Sequence, residues 1–254
     1  MNIVVPIKLV PDLVEEIVID ESEASLDTSW VRLITNEPDE HSIEQALLVK
    51  ESVGGTVTVV ALDVEGADDV LYTAAAKGAD RLIKLTGNHV TELNNYALSR
   101  ILANVIKTFR PELILTGVGA HNDLDGPVGS QLAEQLGMPY VGYVAGVKAS
   151  ADSAVVRKEY PGGLVAEMVV TLPAVLGVQA AEKPPRYCPI SRVRQAMKTA
   201  NIEEMPAAEP ESVDGAIVVR MSKPDTGERA EMLEGDIEQV ADRLIEILRH
   251  IDVL

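Results

Sequence analysis

The first half of the chain alternates between two kinds of hydrophobic pattern. Short apolar runs rich in β-branched residues predict buried strands, and four of them occupy residues 3–7, 57–62, 81–85 and 113–116. Between these runs, apolar residues recur at spacings of three and four, which is typical of helices that bury one face. These residues are Ile43, Ala46 and Leu47, then Val70, Leu71, Ala74 and Ala75, and then Leu98, Ile101, Leu102, Val105 and Ile106.

Strands that alternate with helices predict an α/β fold built on an open, mostly parallel, doubly wound sheet. The crossovers in such a sheet are right-handed, and its ligands lie beyond the carboxyl ends of the strands. Asp39 is expected to cap the first helix, and Gly78 is expected to end the second. The loops of greatest interest are therefore those that follow strands, at residues 8–12, 63–66 and 117–129.

From about residue 140 the pattern changes to strands without intervening helices. Runs at residues 140–144, 155–159, 164–170 and 174–178 predict antiparallel strands that extend the same core, with a hairpin turn at Pro161-Gly162-Gly163. The chain then becomes rich in Pro, Lys and Arg through Lys198, and in Ala, Glu and Pro through Ser212. We interpret these stretches as a long excursion and a linker, so the first domain is expected to span residues 1–198.

Residues 199–254 are interpreted as a C-terminal linker arm that leads to a helix. The helix is indicated by one apolar stripe, which contains Ile237, Val240, Ala241, Leu244, Ile245 and Leu248. A terminal helix so far along the chain from the sheet needs a surface to pack on. Either its own domain or a partner subunit would serve, and the long arm favours a partner subunit.

Composition and charge narrow the classes of function. Hydrophobic residues make up 46% of the 254 residues and aromatic residues only 3%, which suits a buried parallel sheet of aliphatic side chains. A net charge of -18 argues against nucleic acid and anionic membrane surfaces as partners. The longest charge-free apolar stretches fall short of the roughly 20 residues that span a bilayer. Cys188 is the single cysteine, so we expect a soluble chain in a reducing cytoplasm, with no internal disulfide.

Two loops and one basic segment are the candidates for function. The glycine-rich loop 117–129 follows a predicted strand and runs into a helix, so it is either a phosphate cradle at a helix start or simply a turn. Residues 36–40 open another helix at the same side of the sheet, or are only a helix start. His121 has no nucleophile or second histidine at a recognisable spacing, so it is interpreted as a loop residue. The basic residues between Lys183 and Lys198 form either a solvated face or a docking element, and apolar Ile190 favours docking.

Residues 172–187, with the sequence LPAVLGVQAAEKPPRY after a hairpin that ends in Gly-Gly, resemble the signature of electron-transfer flavoprotein beta subunits. The resemblance covers nearly the whole chain. It includes the opening VxxK with Lys8, the turn at 36–40, Gly-Ala-Asp-Arg at 78–81 and the strand that ends in Leu-Thr-Gly at 115–117. Residues 227–235 also resemble some bacterial members.

This resemblance implies a non-catalytic subunit that binds AMP structurally and pairs with an alpha subunit that carries FAD. Three loops would form the AMP site, and they contribute Pro6; Asn36, Glu37, Pro38 and Asp39 with Leu62; and Asn122, Asp123, Asp125, Gly126, Val128, Gly129 and Ser130. Family members usually carry more acidic or amide residues in the third loop, where this chain has Leu124, Gly126 and Pro127. Backbone N–H groups of the third loop are therefore expected to hold the phosphate. Leu13 occupies the place of an aromatic residue near the flavin.

The resemblance also implies that residues 182–197 form a recognition loop for partner dehydrogenases, such as acyl-CoA dehydrogenase. Ile190 would be its apolar anchor, and Arg192 and Arg194 would suit acidic partners. A flavoprotein-quinone oxidoreductase would accept the electrons. One alternative is an electron-bifurcating subunit with a second FAD in place of AMP. Another is an ATP-using enzyme of similar fold, although residues 8–12 lack the glycine- and serine-rich pyrophosphate loop that such enzymes need. A third is a nucleotide-free scaffold, which the two phosphate-ready loops make less fitting.

Overall fold

The computed structural model describes residues 1–87, 94–207, 215–224, 227 and 230–253. They divide into two compact units, Met1–Val219 and Arg220–Leu254. The strands of the first unit are β1 (Asn2–Pro6), β2 (Leu9–Pro11), β3 (Leu33–Thr35), β4 (Thr56–Leu62), β5 (Arg81–Thr86), β6 (Leu113–Gly117), β7 (Tyr140–Ala149), β8 (Ser153–Tyr160), β9 (Leu164–Thr171), β10 (Ala174–Val178) and β11 (Ile202–Pro206). Its helices are α1 (Glu37–Val53), α2 (Ala67–Lys77), α3 (Asn95–Phe109), α4 (Val128–Leu136) and α5 (Ile190–Thr199), and the second unit contains α6 (Ile237–His250).

The main sheet confirms the predicted doubly wound α/β architecture. Within the described residues its strand order is β11-β5-β4-β1-β6-β10-β7-β8-β9. The pairs from β11 to β7 are parallel, and β8 and β9 add an antiparallel extension. The chain proceeds from β1 through β4 to β5 on one side, and then returns to place β6 on the other side of β1. The carboxyl ends of β1 and β6 therefore form a topological switch point, where open sheets of this class bind ligands.

Alternation along the central strands divides the core into two layers. Ile3 and Val5 of β1 face the cluster that contains Ile43 and Leu47 of α1, whereas Val4 faces the cluster that contains Ile101 of α3. All six side chains are almost completely buried. Burying one aliphatic side chain of this size contributes about 1.5–3 kcal/mol, so the two layers fix the sheet against helices on both faces.

Two strands differ from the sequence-based expectations. Strand β10 is not antiparallel: the chain returns from the β8–β9 hairpin and inserts β10 between β6 and β7, parallel to both. Residues 202–206 fall in the expected linker, yet they form β11, which pairs with β5 at the edge of the sheet. Glu203 and Glu204 of β11 are both exposed, so the sequence lacks the apolar run that predicts a buried strand. An edge strand can carry such residues because it buries only part of its surface. The remainder of that expected linker lies largely outside the described residues.

The start of α1 differs from the prediction made from the sequence, whereas the end of α2 agrees with it. Asp39 is not a cap, because it lies inside α1 and the N-cap position belongs to Asn36. Gly78 ends α2 as predicted, with φ 128°, a value that favours glycine.

In the second unit, Asp236 and Gln239 form a capping box at the start of α6, and no residue of that helix is buried. Among the described residues, no helix combines the length and the apolar character needed to cross a bilayer.

Candidate nucleotide crevice and docking segment

The crevice at the switch point is bordered by three segments. Pro6 is the last residue of β1, and Leu62 is the last residue of the adjacent strand β4. The start of α1 faces the loop between β6 and α4, since the side-chain amide of Asn36 donates to the carbonyl oxygen of Gly119 at 3.0 Å. The three loops expected from the sequence thus surround the ends of β1, β4 and β6.

Asp39 joins the ends of β1 and β6 from the first turn of α1. Its Oδ2 accepts from the backbone N–H of Lys8 at 2.8 Å, and its Oδ1 accepts from that of Gly117 at 2.7 Å. Burial raises the pKa of Asp39 to about 7, although these two N–H groups oppose the shift. A Cβ atom at position 117 would overlap the Asp39 carboxylate, so the contact requires glycine there. The carboxylate therefore shapes the floor of the crevice.

A second polar network fixes the loop between β6 and α4. The Lys8 ammonium contacts Asp123 Oδ1 at 2.7 Å and Asn95 Oδ1 at 3.1 Å. The Asn95 amide donates to Asp123 Oδ1 at 2.7 Å and to the Gly126 carbonyl oxygen at 2.8 Å. The other Asp123 oxygen accepts from the N–H of Ala120 at 2.8 Å. Both carboxylate oxygens of Asp123 thus serve the loop itself.

Asp125 and Asn122 have different positions in the same loop. The Asp125 carboxylate accepts from the backbone N–H groups of Asn95 and Tyr96, each at 3.0 Å, and so caps the start of α3. Asn122 is exposed. Sequence reasoning missed Asn95, which is buried, because its partners lie about thirty residues further along the chain or far back at Lys8.

The first turn of α4 presents backbone donors beside the end of β6. Pro127 occupies the N-cap position and makes no side-chain cap, so the N–H groups of Val128, Gly129 and Ser130 have no partner within the helix. A Cβ atom on Gly129 would overlap Thr116 Oγ1, so the helix approaches the strand this closely only with glycine. Thr116 Oγ1 is itself buried and has no hydrogen-bond partner in the part of the chain that the structure describes. These donors together suit an anionic group such as a phosphate.

The segment after β10 crosses the middle of α1 and is held there by buried polar side chains. The backbone N–H of Ala181 donates to His41 Nδ1 at 3.2 Å, and that of Glu182 donates to Gln45 Oε1 at 3.0 Å. The Gln45 amide in turn donates to the carbonyl oxygen of Val147 at 3.1 Å. These bonds attach the segment to α1 and attach α1 to β7.

Arg186 and Glu44 complete this attachment. Arg186 Nε and Nη2 reach the Glu44 carboxylate at 2.9 Å, and the Arg186 backbone N–H donates to the same carboxylate at 2.9 Å. Nη1 of Arg186 contacts Glu51 at 2.7 Å. Burial alone would raise the pKa of Glu44, but the hydrogen bonds and charge of Arg186 outweigh it and hold that pKa below its usual value. Glu44 is therefore an ionised carboxylate that forms an ion pair with the Arg186 guanidinium.

Beyond Arg186 the chain presents exposed side chains. Tyr187 is 84% exposed, and Ile190, the first residue of α5, is 69% exposed. Arg192 and Arg194 are also exposed, and Arg194 lies one helical turn after Ile190. The structure therefore places the three expected docking residues on one accessible helix, away from the sheet core.

Leu13 lies in the loop between β2 and β3. It is 63% exposed, and the same loop carries Val14 and the single tryptophan, Trp30, which is 89% exposed. The exposure of Trp30 was not predicted from the sequence, because a pattern of neighbouring residues does not indicate whether one isolated side chain is buried.

Within the described residues, no group of three or more His, Cys, Asp or Glu side chains is placed to hold a metal ion.

Comparison with known proteins decides which family has this arrangement. Residues 26–210 match the family model described as the electron transfer flavoprotein domain. The chain is also 32% identical to the electron transfer flavoprotein subunit beta of Methylophilus methylotrophus, over 98% of both chains. It belongs to the electron-transfer flavoprotein beta subunits. Other beta subunits are similar over nearly their full lengths. That of Thermoanaerobacterium thermosaccharolyticum is 31% identical over 99% of this chain and 100% of its own, and that of Bacillus subtilis is 28% identical over 98% of both.

Two properties follow from membership of this family. An electron-transfer flavoprotein beta subunit is a subunit of an electron carrier associated with flavin, and its assembly includes an alpha subunit. The sequence-based resemblance to this family is confirmed.

Proposed function

We propose that this beta subunit catalyses no reaction itself, and that it performs three tasks in a heterodimeric electron carrier. It binds AMP structurally, it supports the FAD held by the alpha subunit, and it docks dehydrogenases that supply electrons. Bound FAD supplies the redox chemistry, and the residues of this chain contribute binding and positioning. Family membership and the geometry of the crevice and docking segment support the proposal.

The geometry at the start of α4 gives the main support for AMP binding. The N–H groups of Val128, Gly129 and Ser130 have no partner within α4, and they lie at the switch point of the sheet. Beside them is the Thr116 hydroxyl, which has no hydrogen-bond partner among the residues that the structure describes. Helix-start N–H groups favour a phosphate through hydrogen bonds and the helix dipole. Asn36, Glu37, Pro38 and the ends of β1 and β4, at Pro6 and Leu62, would line the rest of the site.

Asp39, Asp123, Asp125 and Gly126 serve the site indirectly in this proposal. Their polar groups are engaged by backbone or side-chain partners of the chain itself, so they set the shape of the loops. The same geometry disfavours an ATP-using enzyme. Residues 8–12, after the first strand, lack a glycine- and serine-rich pyrophosphate loop, and the Lys8 ammonium at this place is paired with Asp123.

The nucleotides released from the purified heterodimer test this assignment. One AMP and one FAD for each heterodimer, identified by mass spectrometry, are expected. Two FAD and no AMP would replace the AMP assignment with the bifurcating alternative, in which a second FAD occupies this crevice.

The alpha subunit is proposed to cover α6. The apolar stripe of this helix leaves Leu244 47% exposed and Ile245 39% exposed, and the second unit, Arg220–Leu254, would act as an arm that packs on the partner. Leu244→Asp should abolish or strongly weaken co-purification of a tagged alpha subunit, because it places a charge in an apolar contact. The matched control is Arg243→Asp on the exposed neighbouring position, which should leave co-purification intact. Equal recovery of alpha with both variants would refute this role of α6.

Docking is tested with Ile190→Ala in the heterodimer and a panel of purified acyl-CoA dehydrogenases. The dehydrogenase with the highest kcat/KM toward the wild type is then used for the variants. Truncating an exposed apolar anchor should raise its KM at least several-fold, because such anchors often contribute more than 1 kcal/mol to binding. Leu164→Ala is the matched control, since Leu164 is 67% exposed against 69% for Ile190 but lies on β9. Unchanged kinetics of Ile190→Ala would remove the docking claim.

A further inference from the structure

The middle of α1 buries polar side chains where a sheet-packing helix normally buries apolar ones. Glu44 is 3% exposed and Gln45 is completely buried. Burying such groups costs free energy unless each finds partners. Their partners are the segment 181–186 and the Val147 carbonyl oxygen, so this face of α1 is built to hold that segment.

The Glu44–Arg186 pair is the strongest part of this attachment. The guanidinium reaches both carboxylate oxygens, and the Arg186 backbone N–H adds a further bond to the same group. A buried ion pair often adds little net stability relative to well-packed apolar residues, and its better-attested role is to specify one geometry. The geometry specified here is the path of the chain at residue 186.

Only three residues separate Arg186 from Ile190, and prolines flank both. Pro184 and Pro185 precede Arg186, and Pro189 is the N-cap residue of α5. Proline fixes φ near about −65°, which removes conformational freedom from this short connection. Fixing Arg186 therefore fixes the direction in which Tyr187 and Ile190 leave the surface.

We propose that Arg186, held by Glu44, is a positioning residue that presents Tyr187 and Ile190 as a preformed anchor for the dehydrogenase. The inference rests on the proposed docking function. A segment that is already ordered pays less conformational entropy when it binds, so docking is tighter than it would be with a loose segment. Loss of the attachment weakens docking without altering the flavin or the transfer step in the docked complex.

Glu44→Gln in the heterodimer tests the proposal. Glutamine keeps the size of the side chain and one acceptor oxygen, but it removes the charge and the second acceptor. KM for the selected dehydrogenase should rise about three- to tenfold, the range expected for ordering one or two side chains on binding. The kcat and the flavin absorption spectrum should stay at their wild-type values. Arg186→Lys should show an intermediate rise in KM, because lysine keeps the charge but lacks the planar fork.

Glu51→Gln is the matched control. Glu51 contacts the same guanidinium at 2.7 Å, but its side chain is 56% exposed, so its loss should change KM less than about twofold. A second measurement, amide hydrogen exchange of the heterodimer, should show faster exchange in residues 181–190 of Glu44→Gln and unchanged exchange in the central sheet.

The outcomes separate this inference from the function on which it rests. If no dehydrogenase of the panel reduces the wild-type heterodimer, the docking function fails and the inference fails with it. If the wild type is active, Ile190→Ala raises KM and Glu44→Gln leaves KM unchanged, only the positioning role is overturned. A fall in kcat with an altered flavin spectrum and an unchanged KM would assign Glu44 a general structural role instead.

Discussion

The nucleotide crevice and the docking segment both depend on helix α1, yet the helix serves them by different chemistry. Asp39 and Glu44 lie five positions apart on α1, and both are buried, at 4% and 3% exposure. Asp39 accepts from two backbone N–H groups and has a raised pKa, whereas Glu44 faces a guanidinium and has a lowered one. Backbone groups therefore shape the crevice, while a charged pair holds the docking segment. Burial and partners therefore set the ionisation of a carboxyl group together: desolvation prevails at Asp39, and the charge and hydrogen bonds of Arg186 prevail at Glu44.

The contrast between Asp39 and Glu44 should have its largest effect on how the stability of Asp39→Asn compares with that of the wild type as the pH changes. The pKa of Asp39 rises from an ordinary 3.8 to about 7 on folding, so the folded state binds its proton more tightly than the unfolded state. Stability from this group is then complete below about pH 4 and declines as the pH rises to about 7. Relative to Asp39→Asn, the wild type should lose on the order of 4 kcal/mol of unfolding free energy across that window.

Urea unfolding of wild type and Asp39→Asn between pH 4 and pH 8 measures this difference. Glu44→Gln makes the contrast when the titration is extended below pH 4.5, the ordinary pKa of a glutamate. The lowered pKa of Glu44 predicts stability that is present above that pH and is lost as the pH falls further. A constant gap between wild type and Asp39→Asn at every pH would show that Asp39 titrates like an exposed carboxyl group.

Gly117→Ala is expected to have the next largest effect, because the added methyl group overlaps the Asp39 carboxylate. We expect a loss of about 3 kcal/mol in the free energy of unfolding, at the upper end of the usual cost of overpacking. Gly119→Ala is the control in the same loop, because a Cβ there would meet its nearest atom at an ordinary 3.6 Å. Urea titration of the two variants checks the difference, and equal midpoints would show that the Asp39 contact is not close.

Asp125→Ala should have a moderate effect, since it removes the carboxylate that caps the first N–H groups of α3. Removing an N-terminal cap costs about 1 kcal/mol, and the loop that Asp125 holds should also bind AMP less tightly. Urea unfolding and calorimetric titration of AMP measure the two effects. A loss of AMP affinity with no change in stability would instead indicate that Asp125 contacts the nucleotide directly.

Ser130→Ala is expected to have the smallest effect. The Ser130 hydroxyl donates to the carbonyl oxygen of Pro127 at 3.0 Å, so the proposed phosphate contact uses the backbone N–H. AMP affinity should therefore stay within about twofold of the wild type, and stability within about 0.5 kcal/mol. A tenfold loss of AMP affinity by calorimetry would move the contact from the backbone to the hydroxyl.

Sequence patterns predicted the parts of the fold that depend on neighbouring residues. Central strands and amphipathic helices repeat over a few residues, so β1, β4, β6 and their crossover helices were found from periodicity. The parallel pairing of β10 and the edge strand β11 were missed, because pairing joins segments distant in sequence. The turn at residues 161–163 was found because it is local.

In the candidate site, too, local features were predicted from the sequence and long-range contacts were not. Residue types identified the glycine-rich loop and the start of α1, but they could not show that the Asp39 side chain points toward Lys8 and Gly117. The Glu44–Arg186 pair spans 142 positions of sequence, so no local pattern contains it.

The most direct test of the central claim compares the nucleotides bound to wild-type and Gly129→Ala heterodimers. The added methyl group would overlap Thr116 Oγ1 and displace the first turn of α4. One AMP and one FAD are expected in the wild type, and FAD with little or no AMP is expected in the variant. An undiminished AMP content in Gly129→Ala, or a wild type that contains no AMP, would contradict it.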